Sequence, residues 1–223
     1  SDLPIGTFWG YERLGTWGTK DAAEAATYNL KPGDIRWKDQ NGDGKIDDAD
    51  NVRLGQAYPK YTLNIANTFN YKGFDFTFDI RIVGGVNTVA NFKHSTEDRQ
   101  AIANSLNTVL SAWTPENQNS NIAEIRYYGS FYQTHIDSWW VEDGSFIRGQ
   151  NFVLGYSLPA KVVDRWNISR LRFYVSAQNL FLVTDYTGYD PEVLTFGGQL
   201  TQNQDFFPYP RPRVLNLGLN LSF

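Results

Sequence analysis

The sequence predicts an all-β fold in which long antiparallel strands present one apolar face and one polar face. Apolar side chains recur at every second position over runs of about ten residues, which is the period of a β-strand. The connections between these runs alternate between short and long. The aromatic content of 16% indicates either rings at a membrane interface or surfaces that stack on sugars.

Three segments show the alternation most clearly. In residues 61–71 a single residue breaks the apolar face, and residues 74–82 repeat the pattern after a two-residue connection, which predicts a hairpin. Residues 213–223 form the cleanest strand, because leucine occupies its alternate positions. The apolar faces consist of Tyr61, Leu63, Ile65, Phe69 and Tyr71, then Phe74, Phe76, Phe78, Ile80 and Ile82, and finally Leu215, Leu217, Leu219, Leu221 and Phe223.

Other segments carry weaker signals. Residues 145–158 and 171–183 fit the strand pattern less strictly, and the connection between them predicts one helical turn after Pro159. Residues 4–14 predict an N-terminal strand. One helix is expected over residues 97–113, where apolar residues follow a helical spacing at Ile102, Leu106, Val109 and Leu110.

Short and long connections alternate strictly along the chain. Two connections are short, at residues 72–73 and 159–170, and they alternate with long ones at 13–60, 84–144 and 184–212. Outer-membrane barrels have short turns at one rim and long loops at the other. A soluble β-sandwich also alternates apolar and polar residues, but it has no reason to sort its loops in this way.

Composition excludes several functions. The 223 residues contain no Cys, which removes thiol catalysis and disulfides, and the two histidines, His94 and His135, are too far apart in sequence to suggest zinc. The net charge of −4 and scattered basic residues argue against nucleic-acid binding. No run of 18 apolar residues predicts a membrane helix, although strands can cross a membrane without one. Because Met is absent, we expect a processed product or an excerpt of a longer chain.

Residues 39–50, DQNGDGKIDDAD, have the spacing of a calcium-binding loop. The predicted ligands are oxygens of Asp39, Asn41, Asp43, Asp47 and Asp50 and the Lys45 carbonyl. Neither flank has helical spacing, so the loop is not part of an EF-hand, and Asp50 stands where Glu is usual. The alternative interpretation is a solvated turn, because Asp, Asn and Gly commonly bond their own backbone.

Chemistry by side chains is not expected. Asp137, Glu142 and Asp143 lie close together in sequence, but acidic residues in a polar loop are more often solvated than catalytic. The sequence therefore predicts that the protein is not an enzyme.

Three aromatic pairs are candidates for stacking on sugar rings. Such pairs are more often membrane-interface anchors or residues of a loop core. The pairs are Tyr127 with Tyr128, Trp139 with Trp140, and Phe206 with Phe207.

Six motifs together carry a resemblance to a known family. They are PIGTFWGY (4–11), PGDIRWKDQNGDGKIDDAD (32–50), NTFNYKGFDFTFDI (67–80), WWVEDGSFIRGQNFVLGYSLPAKVV (139–163), LRFYVSAQNLFLVTDYTGYDPEV (171–193) and the final leucine-alternating strand. In order and spacing they resemble the C-terminal part of SusC/RagA-type TonB-dependent outer-membrane transporters. The resemblance implies about five or six C-terminal strands of a large antiparallel transmembrane barrel of roughly 22 strands, with long extracellular loops.

The resemblance also implies how the chain is organised. Residues 1–60 are expected to hold an N-terminal strand and an extracellular loop with the calcium-style motif, and residues 61–223 the barrel strands with further extracellular loops. The two short connections are then periplasmic, and the long ones face outside. The remainder of the barrel and the plug are expected in another chain. Phe223 is expected to act as an assembly signal or as a girdle aromatic.

The function implied by the resemblance is TonB-dependent import of a bulky nutrient, either an oligosaccharide or a peptide. It implies a multi-pass protein in the outer membrane of a Gram-negative cell. Its expected partners are a SusD-like surface lipoprotein, TonB and outer-membrane lipid, with no nucleic acid. The alternative is a soluble, calcium-stapled β-sandwich that binds carbohydrate, and dependence on detergent separates the two.

Overall fold

The computed structural model describes residues 4–97, 104–126, 136–193, 195 and 202–223. Within them the strands are β1 (Thr7–Gly10), β2 (Arg13–Thr16), β3 (Ile35–Trp37), β4 (Val52–Gln56), β5 (Tyr61–Tyr71), β6 (Phe74–Gly84), β7 (Asn87–Ala90), β8 (Val141–Asp143), β9 (Phe146–Ser157), β10 (Arg170–Thr184), β11 (Gln204–Asp205) and β12 (Val214–Ser222). The α-helices are α1 (Ala22–Thr27), α2 (Phe92–Thr96) and α3 (Ala160–Val163), and 3-10 helices cover Thr19–Asp21, Asp48–Asp50, Asn107–Ser111 and Asp164–Trp166. No helix among the described residues is long and apolar enough to cross a membrane.

The chain forms two compact units. The loop unit contains Ser1–Tyr58, Val86–Asp143 and Glu192–Pro208, and the sheet unit contains Pro59–Gly85, Gly144–Pro191 and Tyr209–Phe223. The units interleave along the sequence, whereas the predicted division into 1–60 and 61–223 follows the chain. Each unit is built from segments that are distant in sequence.

The sheet unit is one antiparallel sheet of five long strands in the order β12-β10-β9-β6-β5. The five predicted strands are confirmed, and β5 has the predicted bounds. Among the described residues, β5 and β12 each pair on one side only, so the sheet has two open edges and no closed barrel forms within this chain.

Short turns join the strands at one end of the sheet. Lys72 and Gly73 both have positive φ, at 45° and 87°, as a two-residue hairpin turn of the primed type requires. A Cβ on Gly73 would lie 2.7 Å from the Ser157 carbonyl oxygen, so this position also needs glycine for space. The other turn contains α3 directly after Pro159, which confirms the predicted helical turn.

A β-bulge in β9 explains the weaker alternation of this segment. Asp79 of β6 pairs with Asn151 while the next residue, Ile80, pairs with Gly149, so Gln150 is an extra residue. Because of this extra residue, the apolar side chains of β9 lie at odd-numbered positions before the bulge and at even-numbered positions after it. The pairing with β10 is irregular at the same level.

The loop unit contains short strands in three small sheets. β1 pairs with β4, β2 pairs with β3, and β7 lies between β8 and a parallel β11. The predicted N-terminal strand is therefore two strands with different partners. One aromatic cluster is Phe8, Ala57, Val89 and Trp140, and a second is Tyr11, Ile35 and Trp37.

The helix predicted over residues 97–113 was wrong in its described part. Residues 107–111 form a 3-10 helix, residues 104–106 are irregular, and residues 98–103 lie outside the described part of the chain. Leu110 is 91% exposed. The helical spacing was therefore misleading, because it does not produce a buried face here.

Candidate functional site

The acidic loop 39–50 is held in place by its own backbone amides. Asp39 accepts hydrogen bonds from the amides three and five residues ahead, at 2.6 and 2.8 Å. Asn41 and Asp43 each accept one from the amide two residues ahead, at 2.9 Å. Gly44 has a φ of +80°, which provides the sharp turn expected at this position. The loop therefore has the turns that the spacing predicts.

Asp47 and Asp50 close the end of the loop. Asp47 caps the 3-10 helix Asp48–Asp50, where its side chain accepts from the Ala49 amide at 2.9 Å. One oxygen of Asp50 accepts from the Asp47 amide at 3.0 Å, and the other accepts from the Gln40 amide at 2.7 Å. Asp50 is fully buried. Its carboxylate thus ties the start of the loop to its end.

Neighbouring residues hold the first turn of the loop. The Tyr28 hydroxyl donates to Asp39 at 3.3 Å, and Glu12 accepts from the side chains of Gln40 and Lys38 at 2.9 and 3.1 Å. Both donors lower the pKa of Glu12 below its usual value, and the hydrogen bond from Gln40 has the larger effect. Polar contacts therefore attach the first turn to Glu12, which precedes β2, and to Tyr28, which follows α1.

The loop has a negative electrostatic field. Desolvation raises the pKa of Asp39, but the amides of Gly44, Gly42 and Asp43 outweigh it and hold that pKa below its usual value. Burial, followed by the negative charges of the loop's C-terminal carboxylates, raises the pKa of Tyr11. A cation would lower this accumulated negative charge.

The donors fit calcium in their chemistry, since all are oxygens. In the described part of the chain, however, no group of three or more Asp, Glu, His or Cys side chains is clustered so that it could hold a metal ion. Lys45 occupies position seven of the loop, where the sequence predicts a carbonyl ligand. Its backbone amide donates a hydrogen bond to the Asp43 side chain. The loop's carboxylates are directed to amides within the loop, and calcium binding stays a prediction.

Two of the three clustered acidic residues form buried ion pairs. Asp137 is fully buried, and one of its oxygens lies 2.6 Å from Nε of Arg13 and 3.1 Å from Nε1 of Trp37. Glu142 contacts Nζ of Lys93 at 2.6 Å. Asp143 lies at the exposed end of β8. These contacts make Asp137 and Glu142 structural partners of cations.

The aromatic pairs occupy different environments. Trp140 is buried in the first aromatic cluster, and Trp139 donates from Nε1 to Glu97 at 2.8 Å with Nζ of Lys93 over its ring. This pair belongs to the core of the loop unit. Phe206 and Phe207 are exposed, and their ring centroids lie 5.4 Å apart. Tyr127, Tyr128 and His135 lie outside the described residues.

The polar face of the sheet unit carries an ion pair that the sequence pattern does not predict. Arg172 of β10 reaches across β9 to Asp75 of β6, with its Nε 2.8 Å from Asp75 Oδ1. Gly155 of β9 makes the contact possible, because a Cβ there would lie 2.4 Å from the guanidinium. The sequence signal for this ion pair was a glycine on the middle strand, with an acidic residue on one neighbouring strand and a basic residue on the other.

The apolar face of the same sheet remains uncovered. Leu217 is 88% exposed and Leu215 67% exposed, and most of the large apolar residues on the other four strands are also accessible. Among the described residues the five-stranded sheet is the one sheet of this unit, so a β-sandwich does not describe the unit. A face of this size needs an apolar environment.

Several curated proteins that are similar to this chain are described as TonB-dependent receptors. The chain is 33% identical over 226 residues to TonB-dependent receptor P26 of Formosa agariphila, covering 98% of the chain and 23% of that protein. It is 31% identical over 229 residues to TonB-dependent receptor P3 of the same organism, covering 98% of the chain and 22% of that protein. It is 29% identical over 202 residues to TonB-dependent receptor SusC of Bacteroides thetaiotaomicron, covering 87% and 18%.

The chain belongs to the TonB-dependent receptors. It spans about a fifth of the length of the curated relatives it matches. No protein-family model matches it.

Solved structures of this receptor type share the fold. The RagAB peptide transporter matches with a TM-score of 0.76 at 23% identity, over 97% of this chain and 22% of that one. The RagAB peptide importer in its closed-closed state matches with a TM-score of 0.74 at 24% identity, over 100% and 25%. The prediction of antiparallel strands from a large barrel is confirmed.

The TonB-dependent receptors, the family to which the chain belongs, are outer-membrane proteins. Its relatives are receptors and transporters and not enzymes, which confirms that prediction. The β-sandwich fold that the sequence left open is not observed, since the strands match those of a transporter barrel.

Proposed function

We propose that the protein imports a bulky nutrient, an oligosaccharide or a peptide, across the outer membrane in a TonB-dependent manner. The observation that carries this proposal is the match to TonB-dependent receptors over 98% of the chain. The similarity of fold to a peptide transporter is consistent with a peptide, and the similarity to SusC leaves the substrate class open.

In this proposal the five long strands cross the membrane as part of a barrel wall. The uncovered apolar face lies toward lipid, and the face with Asp75 and Arg172 lies toward the lumen. The short turns after β5 and β9 are then periplasmic, and residues 13–60, 85–144 and 184–212 are extracellular. Lengths of nine to fifteen residues in these strands support a crossing by tilted strands.

The proposed partners follow from the incomplete sheet. The open edges of β5 and β12 require the rest of the barrel, because unpaired backbone groups in lipid cost several kcal/mol each by a rough estimate. A plug, TonB and a SusD-like surface lipoprotein complete the assembly, with the lipoprotein lying over the extracellular segments.

The test uses the full-length receptor with an affinity tag in its native outer membrane. We expect a surface lipoprotein to copurify in mild detergent and the cells to take up labelled oligosaccharides or peptides only when TonB is present. Comparing the two substrate pools in a receptor-deletion strain identifies the class. Uptake of both pools unchanged by deletion of the receptor would contradict the proposal.

We also propose that the loop 39–50 binds one calcium ion, through Asp39, Asn41, Asp43, the Lys45 carbonyl, Asp47 and Asp50. Support comes from the spacing of the oxygens, the turn at Gly44 and the negative field at Tyr11. The ion would compete with the loop's amides for the same oxygens. Its role would be to stiffen an extracellular segment.

Asp39 and Asp43 provide the test of calcium binding. We expect chelator to increase proteolysis between residues 34 and 55 in the intact receptor, and the double substitution Asp39→Ala with Asp43→Ala to do the same without further effect of chelator. Asp21→Ala, in the same unit but outside the loop, is the matched control. Protection that chelator leaves unchanged would show that amides alone hold the loop.

A further inference from the structure

The apolar face of the sheet unit contains a groove of about 400 Å³ near the turn end of the sheet. The register explains its walls. Phe74, Tyr156 and Phe173 are paired neighbours on three strands and form a row of large rings. In the next row, Phe76 of β6 is followed by the smaller side chains Leu154, Val175 and Leu217 on β9, β10 and β12. A row of small side chains beside a row of rings leaves a groove that runs across the strands.

The groove suits an apolar ligand. The polar side chains of the same strands lie on the opposite face, where Arg172 covers Gly155 and the Tyr174 ring covers Gly218. The backbone beneath the groove belongs to β9 and β10, which pair on both sides in the sheet, and to β12, which pairs with β10 on one side. The groove therefore offers an acyl chain contact area but offers little to a ligand that needs hydrogen bonds.

The turns beside the groove are cationic. Lys72, Lys161 and Arg165 are all exposed, and Asp164 is the acidic residue among residues 70–74 and 157–171, all of which the structure describes. We call these three basic residues the cationic collar. Clusters of Lys and Arg at a membrane surface attract anionic headgroups.

Aromatic rings accompany the cationic collar. Tyr71 is 70% exposed with Nζ of Lys72 5.2 Å from its ring centroid, and Trp166 in the other turn is also exposed. Tyr and Trp favour the level of the headgroups at a membrane interface. The collar thus lies in the two turns that adjoin the strands lining the groove.

We propose that the groove and the cationic collar together bind an anionic phospholipid of the surrounding membrane. One acyl chain lies between the row of rings and the row of small side chains, and the headgroup phosphate lies at Lys72, Lys161 and Arg165. This inference rests on the proposed membrane function. It adds a site for a specific lipid class to a face that otherwise contacts lipid without selection.

The experiment uses the full-length receptor in phosphatidylcholine vesicles that contain a trace of spin-labelled lipid. Electron spin resonance measures the immobilised fraction of phosphatidylglycerol relative to labelled phosphatidylcholine. We expect a preference for phosphatidylglycerol of about threefold or more, since each basic residue near the surface contributes on the order of a fewfold. The triple charge reversal Lys72→Glu, Lys161→Glu and Arg165→Glu should reduce the preference to about one, whereas Arg213→Glu at the other end of the sheet should preserve it.

The groove is tested by a matched pair on one strand. Val175→Trp fills the groove, and Val183→Trp places the same ring on the same face of β10 outside the groove lining. We expect Val175→Trp alone to reduce the preference for phosphatidylglycerol by at least half. Equal effects of the two substitutions, or a preference that survives the triple charge reversal, would overturn the inference.

The same measurement distinguishes the two proposals. Immobilised lipid without any preference contradicts the lipid site and leaves the membrane placement intact. No immobilised lipid of either class contradicts the membrane placement itself.

Discussion

The two units of the molecule differ in how they place their apolar side chains. The loop unit buries Asp137 completely in contact with Arg13, and it also contains the two aromatic clusters. The sheet unit exposes leucines such as Leu217 and carries the pair of Asp75 with Arg172 on its polar face, together with a buried pair of Arg148 with Asp190 at 2.6 Å. The first unit is built like a protein in water. The second unit has no comparable core, so its apolar face depends on an apolar environment.

Removing the charge of Asp137 should have the largest effect, and it should lower the stability of the loop unit. Asp137→Asn leaves Arg13 buried without its carboxylate, and breaking a buried pair in this way costs about 3–5 kcal/mol. Hydrogen exchange of loop-unit amides in the full-length receptor measures the change in local unfolding free energy.

Glu24→Gln is the matched control for Asp137→Asn. Glu24 pairs with Arg36 at 3.1 Å in the same unit, but both side chains are substantially exposed. Loss of such a surface pair costs less than about 1 kcal/mol. Similar losses for the two substitutions would mean that burial does not distinguish these ion pairs.

Charge on the apolar face has the next largest expected effect. Leu217→Arg should destabilise the receptor in lipid vesicles by about 2–4 kcal/mol if the site is near the bilayer centre, and Asn216→Arg should be tolerated better. Both residues are exposed on the same strand, so water alone gives no reason for a difference. Urea titration of the reconstituted receptor measures both. Equal tolerance would contradict the assignment of the apolar face to lipid.

Acid has the smallest expected effect, and this prediction concerns the acidic loop. Because the pKa of Asp39 is lowered in the folded state, its stabilisation is fully present above the usual value of about 3.9 and is lost as pH falls through the lower folded value. Proteolysis between residues 34 and 55 should therefore increase in that window. Asp39→Asn should remove this pH dependence, and an unchanged profile would assign the effect to another group.

The strands were predictable because their signal is local. The alternation in β5 and β12 needs only neighbouring residues, and the turn at Lys72 and Gly73 needs only two. The bulge at Gln150 weakened the prediction of β9, since one extra residue switches the parity of the pattern. The local pattern was therefore sufficient to locate the strands, and irregular pairing weakened the pattern in β9.

The loop unit was less predictable because its contacts are not local. Arg13 and Asp137 are 124 residues apart, so no pattern in either segment indicates the pair. The short helix α1 had a usable signal in its alanine-rich sequence, AAEAAT, and was missed. The turns of the acidic loop followed from their residue types, since Asp and Asn bond amides two or three residues ahead.

The Lys72 and Gly73 turn also has a consequence for the order of folding. A hairpin closed by two residues can form within about 1–10 μs, and the entropy lost in closing a loop grows with its length. The contact of Arg13 with Asp137 must close a loop of more than a hundred residues. We therefore expect β5 and β6 to pair early and the loop unit to consolidate late. Pulse-labelling hydrogen exchange would then find the hairpin amides protected while the Trp37 indole is still exchanging.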